Sequence, residues 1–191
     1  MVSAQLPPKP DFDAIDAAAP ISADRRTLIL ALIGHLVFSW SNNESMFIYV
    51  LMLLLDTDQA TAAVVFATLN TTRARLDLIE RLAKLQIKDQ AIDKTLGKLI
   101  EHFNDSTRVR NEFNHCMYSV GIGGEITHTQ AIRIIEKRGQ LRLGDVRPMD
   151  DDRIKEMIEA IRELKQINRD IWNFLPRLAD HLKQTKKNEQ K

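Results

Sequence analysis

The positions of proline and glycine constrain this 191-residue chain most, because these two residue types interrupt regular secondary structure. No proline occurs between Pro20 and Pro148, and five of the 7 glycines fall within the short stretch from Gly121 to Gly144. Together, 7 Gly and 6 Pro are roughly half of the usual share of about 12%. We therefore predict long helices on both sides of a single turn-rich segment.

The first helix is predicted from Ser22, a plausible cap, to Leu55, with a strongly apolar run from Thr27 onward. The polar block Ser41–Ser45 divides this run into pieces shorter than the roughly 20 apolar residues that a membrane span needs. We therefore expect a central helix that is buried on several faces, and no membrane insertion.

Apolar residues at spacings of three and four predict a second helix over about Gln59–Gln86, after a stop and cap at Thr57 and Asp58. Asp89 is the expected cap of a third helix that runs to about Val120. A fourth helix opens at Pro148–Asp152, and Pro176 is expected to kink or end it.

Between the third and fourth helices, alternating residues on both sides of Lys137-Arg138-Gly139-Gln140 predict a β-hairpin over about 122–147. The predicted fold class is therefore all-α, an up-down four-helix bundle with a short β-hairpin inserted between the third and fourth helices. Residues 1–21 are predicted to be an extended or disordered arm, 22–183 the helical domain and 184–191 a basic tail.

Charge and cysteine content narrow the class of protein. Lys plus Arg (27) nearly balances Asp plus Glu (26), for a formal net charge of +1, which argues against a globally basic nucleic-acid wrapper but allows a local basic site. The single cysteine, Cys116, excludes an intramolecular disulfide. The first 20 residues lack the layout of a signal peptide, so we expect a cytoplasmic protein.

Most motifs that carry chemistry are absent from the sequence. It has no phosphate-loop pattern, no His-Glu-x-x-His and no Gly-x-Ser-x-Gly, and its 5 histidines are scattered. Gly121-Ile122-Gly123-Gly124 follows a helix instead of opening one, so it is interpreted as a helix stop. We expect neither a cofactor nor a metal site.

One constellation remains, at the end of the predicted third helix. At 100° per residue, Asn111, Glu112 and His115 share a polar stripe with Arg108, while Arg110 lies near the edge of the apolar side. An imidazole can exchange a proton near neutral pH, and a guanidinium can brace a phosphate. The simpler interpretation is a solvated helix face on which Glu112 pairs with Arg108 at i, i+4.

Arg110-Asn111-Glu112-Phe113-Asn114-His115 resembles the signature of the HEPN superfamily. That signature is an arginine followed directly by a polar residue, with a histidine four to six positions beyond that polar residue. It lies late in the third helix of a four-helix bundle. The helix order and the long apolar first helix are also similar, so the resemblance covers about 22–183. Arg108 satisfies the spacing too, but apolar Val109 follows it, which favours Arg110 as the arginine of the signature.

The resemblance implies RNA cleavage without metal by a homodimer that brings two such motifs together. His115 would act as general acid or base, Arg110 would steady the phosphate and Asn111 would orient one of them. Arg108, Glu112 and Asn114 are the expected substrate-binding residues. As a toxin or defence effector, such a protein would have an antitoxin partner, often a small nucleotidyltransferase.

The alternative to a ribonuclease is a noncatalytic helical module for dimerisation or for binding RNA or protein. It is suggested by the near-neutral charge, by the excess apolar surface of the first helix and by the lack of an identified second catalytic group.

Overall fold

The computed structural model describes residues 20–137 and 139–189, and this part of the chain is mostly helical with a small antiparallel sheet. The helices are α1 (Pro20–Leu55), α2 (Gln59–Thr68), α3 (Thr72–Gln86), α4 (Gln90–Asn114) and α5 (Asp151–Glu189). The strands are β1 (Cys116–Val120), β2 (Ile126–Ala131), β3 (Ile134–Lys137), β4 (Gln140–Leu143) and β5 (Val146–Pro148). Of the predicted arm, residues 1–19 lie outside the described residues, as do residues 190–191 of the predicted basic tail.

The chain divides into two compact units. The first, here called the sheet unit, comprises Met1–His35 and Asn111–Ile158. The second, here called the helical unit, comprises Leu36–Arg110 and Glu159–Lys191. The long helices α1, α4 and α5 each contribute residues to both units.

The core of the helical unit is built from apolar side chains at helical spacing, drawn from all five helices. Representative buried residues are Phe47, Leu51, Phe66, Ile79, Leu96, Phe103, Leu164, Ile171 and Leu178. One buried polar side chain, Asn43, is hydrogen-bonded through both polar atoms of its amide. Its Nδ2 donates to the Leu164 carbonyl at 2.8 Å, and its Oδ1 accepts from Asn168 Nδ2 at 2.8 Å. An amide at this depth therefore fixes the pairing of α1 with α5 in this unit.

The end of α1 and the start of α2 confirm the predicted stop and cap. Asp56 adopts a left-handed conformation at φ 52°, and the Thr57 N–H donates to the Met52 carbonyl at 3.2 Å, which closes the end of α1. Asp58 then caps α2 by accepting from the Thr61 N–H at 3.0 Å.

The single second helix predicted over about Gln59–Gln86 is wrong, because the chain breaks into α2 and α3. Thr71 starts α3 by accepting the Ala74 N–H at 3.1 Å. Arg75 donates from Nε to the carbonyls of Phe66 (3.1 Å) and Leu69 (3.0 Å). These side-chain bonds satisfy backbone groups on both sides of the break, so the interruption costs little.

The third helix was predicted to reach Val120, and this too is wrong, because α4 ends at Asn114. The Phe113 carbonyl accepts the Tyr118 hydroxyl at 2.6 Å, and strand β1 follows at once. β1 pairs with β2 from Cys116↔Ala131 onward, so backbone groups that a longer helix would have used are bonded across a sheet.

In place of the single hairpin predicted over about 122–147, the described residues form five short strands in two antiparallel sheets. β3 and β4 pair antiparallel around a turn at Gly139, whose φ is 72°, and β1, β2 and β5 form a separate three-stranded sheet in the order β1-β2-β5. Between the two sheets, a Cβ on Gly144 would lie only 2.9 Å from Ala131 Cβ and O. Glycine is therefore needed at this close approach.

Helix α5 continues through Pro176 to Glu189, so the proline does not end it. In the described part of the chain, no single helix is long and apolar enough to cross a membrane. One bent pair, Arg25–Leu55 with Gln59–Thr68, meets the length and composition requirement jointly, with a 115° angle at the break.

Candidate active site

Helix α4 carries all of the predicted site residues except His115, so the site depends on how this helix begins and ends. Asp89 caps the start of this helix as predicted: its Oδ1 accepts the N–H groups of Ala91 (2.7 Å) and Ile92 (3.2 Å). The bonds from Ile92 and Ala91 lower the pKa of the Asp89 carboxyl. At the other end of the helix, residues 111–114 belong to the sheet unit, and His115 stands between α4 and β1.

His115 combines a fixed backbone with an exposed side chain. Its N–H donates to the Asn111 carbonyl at 3.0 Å, and its carbonyl accepts the Ile132 N–H at 3.2 Å. The imidazole is exposed and makes no hydrogen bond to any described residue. A ring with an anchored backbone and two uncommitted nitrogens can exchange a proton with a ligand.

Three other predicted residues are exposed as well. Asn111 and Asn114 lie in the sheet unit, where their side chains form no hydrogen bond to the described residues, and Arg108 is exposed in the helical unit. These amide and guanidinium groups can therefore donate or accept without breaking a contact of the described fold.

Arg110, the predicted phosphate-binding residue, lies over an aromatic ring within the helical unit. Its Cζ lies 3.5 Å from the centroid of the Trp40 ring. Trp40 is itself fixed, since it stacks on Phe103 with centroids 5.4 Å apart and donates from Nε1 to Thr107 Oγ1 at 2.9 Å. The fixed indole thus holds the guanidinium by a cation–π contact.

The polar atoms of Arg110 have no partner among the described residues. Its Nε is buried without a hydrogen bond, and its Nη atoms form no hydrogen bond or ion pair either. Burial lowers the pKa of the guanidinium, and the charge of Glu44 acts in the opposite direction. Glu44 is itself engaged by Thr72 Oγ1 at 2.6 Å and Arg75 Nη1 at 3.0 Å. Arg110 is therefore an oriented cation whose donors are unused.

Glu112 pairs with Arg147 and Arg153, and not with Arg108 as the i, i+4 spacing suggests. Its Oε1 accepts from Arg147 Nη1 at 2.9 Å and from Arg153 Nη2 at 2.6 Å. Glu156 closes a ring, because its Oε1 accepts from Arg147 Nη2 at 2.7 Å and its Oε2 from Arg153 Nη1 at 2.5 Å. Each arginine thus bridges both glutamates. We call these four residues the charge ring.

The charge ring rests on the end of α4. Arg153 is only 3% exposed, and its Cζ lies 4.2 Å from the centroid of the buried Phe113 ring. Burial alone would raise the pKa of Glu156, but the bonds from Arg147 and Arg153 outweigh it and lower that pKa. The bond to Glu156 raises the pKa of Arg147. The ring therefore ties the helix turn before His115 to β5 and the start of α5.

Sequence reasoning missed Trp40, Arg147, Arg153 and Glu156. Arg147 and Arg153 lie 35 and 41 residues from Glu112, so no helical spacing could connect them. Only the Arg153–Glu156 pair, at i, i+3, carried a local signal.

Cys116 does not provide a nucleophile. Burial raises the pKa of its thiol, and its Sγ contacts the Phe113 carbonyl at 3.4 Å. A thiol in such surroundings stays protonated near neutral pH. Within residues 20–137 and 139–189, no group of three or more His, Cys, Asp or Glu side chains is placed to hold a metal ion.

Comparison of the chain with protein-family models, curated proteins and solved structures finds no match.

Proposed function

We propose that this protein is a HEPN-like, metal-independent endoribonuclease that acts as a homodimer. In this proposal α1, the α2–α3 pair, α4 and α5 are the four helices of the bundle, and the strands are its insertion. The observation that carries the proposal is the state of Arg110: a guanidinium oriented by Trp40, with every donor free of protein partners in the described residues. Such a group is suited to a phosphate.

The proposed reaction is an attack of the ribose 2′-oxygen on the neighbouring phosphorus. A bond from the 2′-oxygen to phosphorus forms and the bond to the 5′-oxygen breaks, which leaves a 2′,3′-cyclic phosphate and a 5′-hydroxyl. One His115 takes the proton from the 2′-hydroxyl, and His115 of the partner subunit donates a proton to the leaving 5′-oxygen. Arg110 balances the negative charge that develops on the phosphoryl oxygens.

The remaining predicted residues receive supporting roles. Asn111 lies one helical turn before His115 and would orient the imidazole or the phosphate, while Arg108 and Asn114 would bind the RNA backbone. Glu112 would act as a positioning residue, because its carboxylate is held by two arginines of the charge ring. The cellular role would be that of a cytoplasmic toxin or defence effector, restrained by an antitoxin of the nucleotidyltransferase type.

The test is cleavage of RNA in EDTA by purified protein, with the wild-type chain compared with His115→Ala. We expect the substitution to lower the rate by about 10²-fold or more, as for loss of a general acid or base. His102→Ala is the matched control, because it removes an exposed histidine of α4 outside the predicted site and should leave the rate unchanged. Equal cleavage by wild type and His115→Ala, or none by antitoxin-free wild type, would refute the proposal.

A second candidate function is a noncatalytic module for dimerisation or for binding RNA or protein. It is favoured by large apolar side chains of α1 that stay exposed: Leu28 (46%), Leu30 (51%) and Phe38 (65%). This candidate predicts that His115→Ala and Arg110→Ala leave the fold, the dimer and any cellular phenotype intact. Loss of the phenotype with the dimer preserved would exclude it.

A further inference from the structure

Helices α1 and α5 pack side by side in the helical unit and run parallel. The contacts between them advance along both helices together, in the order Asn43–Asn168, Tyr49–Trp172 and Asp56–Lys186. The outward side chains on the two sides of this junction therefore belong to one surface. We call it the seam surface, and it extends over residues 38–56 and 165–186.

Two aromatic rings meet at the middle of the seam surface. Trp172 is 56% exposed, and its ring lies 6.2 Å from that of Tyr49, measured between centroids, with the planes tilted by 37°. Tyr49 is half-buried, and its hydroxyl accepts from Gln59 Nε2 at 3.3 Å, so it supports the indole from a held position. A supported indole with an exposed face is a platform on which another planar group can stack.

A third ring lies farther along the same surface. Phe38 is 65% exposed and lies about three turns of α1 before Tyr49, which places it on the same side of the helix. Between these two rings, that side carries Asn42 and Ser45, which are exposed and uncharged. From Phe38 to Tyr49 the α1 part of the seam surface is therefore aromatic and neutral.

The α5 part of the seam surface is basic. At 100° per residue, the exposed charged side chains of α5 within about 40° of Trp172 are all lysines: Lys165, Lys183 and Lys186. The nearest acidic residue of the helix, Asp180, is about 80° away. Lys165 and Lys183 form no ion pair with a described residue. These two lysines, about 27 Å apart along the helix, are thus available to anions on either side of the tryptophan.

A cavity of about 120 Å³ opens in the seam surface, about one to two turns beyond the Tyr49 and Trp172 rings. Its apolar side chains come from both helices: Met52, Leu53, Ala179 and Leu182. Lys183 and Lys186 line it as well, and Lys186 pairs with Asp56. Apolar walls beside Lys183 suit a flat base whose phosphate lies at the opening.

These features discriminate among ligands that carry negative charge. A duplex stacks its bases on one another, so it would reach the lysines with its phosphates and leave Trp172 in water. A lipid surface takes up a continuous apolar helix face, but that face of α5 is in the core, where Leu164, Ile171 and Leu178 are buried. A single strand presents unstacked bases to the rings and phosphates to the lysines at once.

We propose that the seam surface binds single-stranded RNA, with one base stacked on Trp172 and phosphates at Lys165 and Lys183. RNA is chosen over DNA on the strength of the proposed function, on which this inference rests, because rings and lysines alone suit any single strand. The seam surface contains none of the residues that the proposed function assigns to cleavage. Binding and cleavage can therefore be lost separately.

The test is binding of a fluorescently labelled single strand of about ten nucleotides, measured by anisotropy at several salt concentrations. The RNA carries 2′-O-methyl riboses, so it lacks the hydroxyl that the proposed reaction needs. We expect Trp172→Ala to weaken binding by roughly 10-fold, because one stacked base is lost. Trp172→Phe should recover part of the loss, because phenylalanine still stacks.

The lysines are tested by their effect on salt dependence. Lys165→Ala combined with Lys183→Ala should weaken binding at low salt and reduce the slope of log affinity against log salt by about 1.4, since two phosphate contacts are lost. Leu85→Ala is the matched control for the tryptophan and Lys94→Ala with Lys98→Ala for the lysines, because these residues are exposed elsewhere in the helical unit. Both controls should bind RNA as the wild type does.

Equal affinity of the wild type, Trp172→Ala and the double lysine variant would overturn the proposal, and so would an absence of binding by the wild type. Tighter binding of DNA or of duplex RNA of the same sequence would reject single-stranded RNA as the ligand. Loss of binding to anionic phospholipid vesicles in Trp172→Ala, with RNA binding unchanged, would assign the surface to a membrane. A chain that cleaves RNA without using the seam surface would refute this inference alone, whereas one that binds through it without cleaving would refute only the ribonuclease.

Discussion

Two arginines, one in each unit, are packed in the same way and used differently. Arg110 lies 3.5 Å from the centroid of Trp40, and Arg153 lies 4.2 Å from the centroid of Phe113. In both, Nε is buried without a hydrogen bond to the described residues. The Nη atoms of Arg153 bond two carboxylates, whereas those of Arg110 bond none in the described chain.

Arg153 is therefore a cation that stabilises the fold, whereas Arg110 is a cation that is available to bind an anion. A buried guanidinium with both ends paired stabilises the turn that it bridges, and removing it leaves its acidic partners with one cation fewer. A stacked guanidinium with free ends has already lost rotational freedom, so binding an anion costs less ordering entropy. Substitution of the two arginines should therefore have opposite consequences for activity and for stability.

The largest effect is expected from Arg110→Ala, and it should be on activity. If Arg110 stabilises the phosphoryl charge, RNA cleavage should fall by about 10²–10³-fold, as for loss of one preorganised donor. The free energy of unfolding should fall by only about 1 kcal/mol, the size of a stacking contact. Cleavage rates and urea unfolding of the same preparations measure the two quantities.

Arg169→Ala is the control for Arg110→Ala, because Arg169 is exposed in the same unit and should have little effect on either quantity. Arg110→Lys keeps the charge but loses the planar stack, so it should recover only part of the rate. Full activity in Arg110→Ala would contradict the distinction between the two arginines.

The next largest effect is expected from Arg153→Ala, and it should be on stability. Loss of the packing on Phe113 and of two charged hydrogen bonds should lower the free energy of unfolding by about 2–3 kcal/mol. Arg147 remains to pair both glutamates, which limits the loss. Urea unfolding measures the change, with Arg162→Ala, at an exposed i, i+3 pair, as the control. A change below that of the control would show that Arg153 contributes nothing to stability.

The ends of the helices could be predicted wherever a local signal fixes them. Asp58 and Asp89 cap α2 and α4 as their positions before apolar runs suggested. The break between α2 and α3 could not, because Arg75 stabilises it by reaching two carbonyls of the preceding segment. The apolar periodicity continues across that break, so the pattern alone favours one helix.

The residues of the candidate site were chosen from the sequence, but the sequence does not show which of their side chains are paired with other residues and which are not. The spacing from Arg110 to His115 is visible in the sequence, and so is the turn-rich segment that follows. The early end of α4 depends on the Tyr118 hydroxyl, which bonds the Phe113 carbonyl, and on pairing with β2, and helical periodicity shows neither. The Trp40 stack and the charge ring join residues far apart in the chain, so no local pattern could show that Arg110 is free and Glu112 is occupied.

The smallest expected effect concerns pH and separates the charge ring from the Arg110 stack. Because Arg147 and Arg153 lower the pKa of Glu156, the folded chain holds this carboxylate ionised to lower pH than the unfolded chain does. The resulting stabilisation is present above the ordinary pKa of glutamate and is lost as pH falls through the lowered value. Because Glu156 is about half exposed, with a side-chain exposure of 47%, the contribution should be at most about 1 kcal/mol.

Urea unfolding of the wild type and of Glu156→Gln at pH 7 and below pH 4 measures this contribution. At pH 7 the wild type should be the more stable of the two, and the difference should shrink as the pH falls, because the variant has no carboxylate to protonate. The stability lost in Arg110→Ala should change less with pH, since no carboxylate bonds Arg110 in the described chain and only the charge of Glu44 acts on it. If the Glu156→Gln difference were instead constant with pH, the ring would stabilise the fold by packing alone, and Arg153 would then resemble Arg110 in its energetics as well as in its stacking.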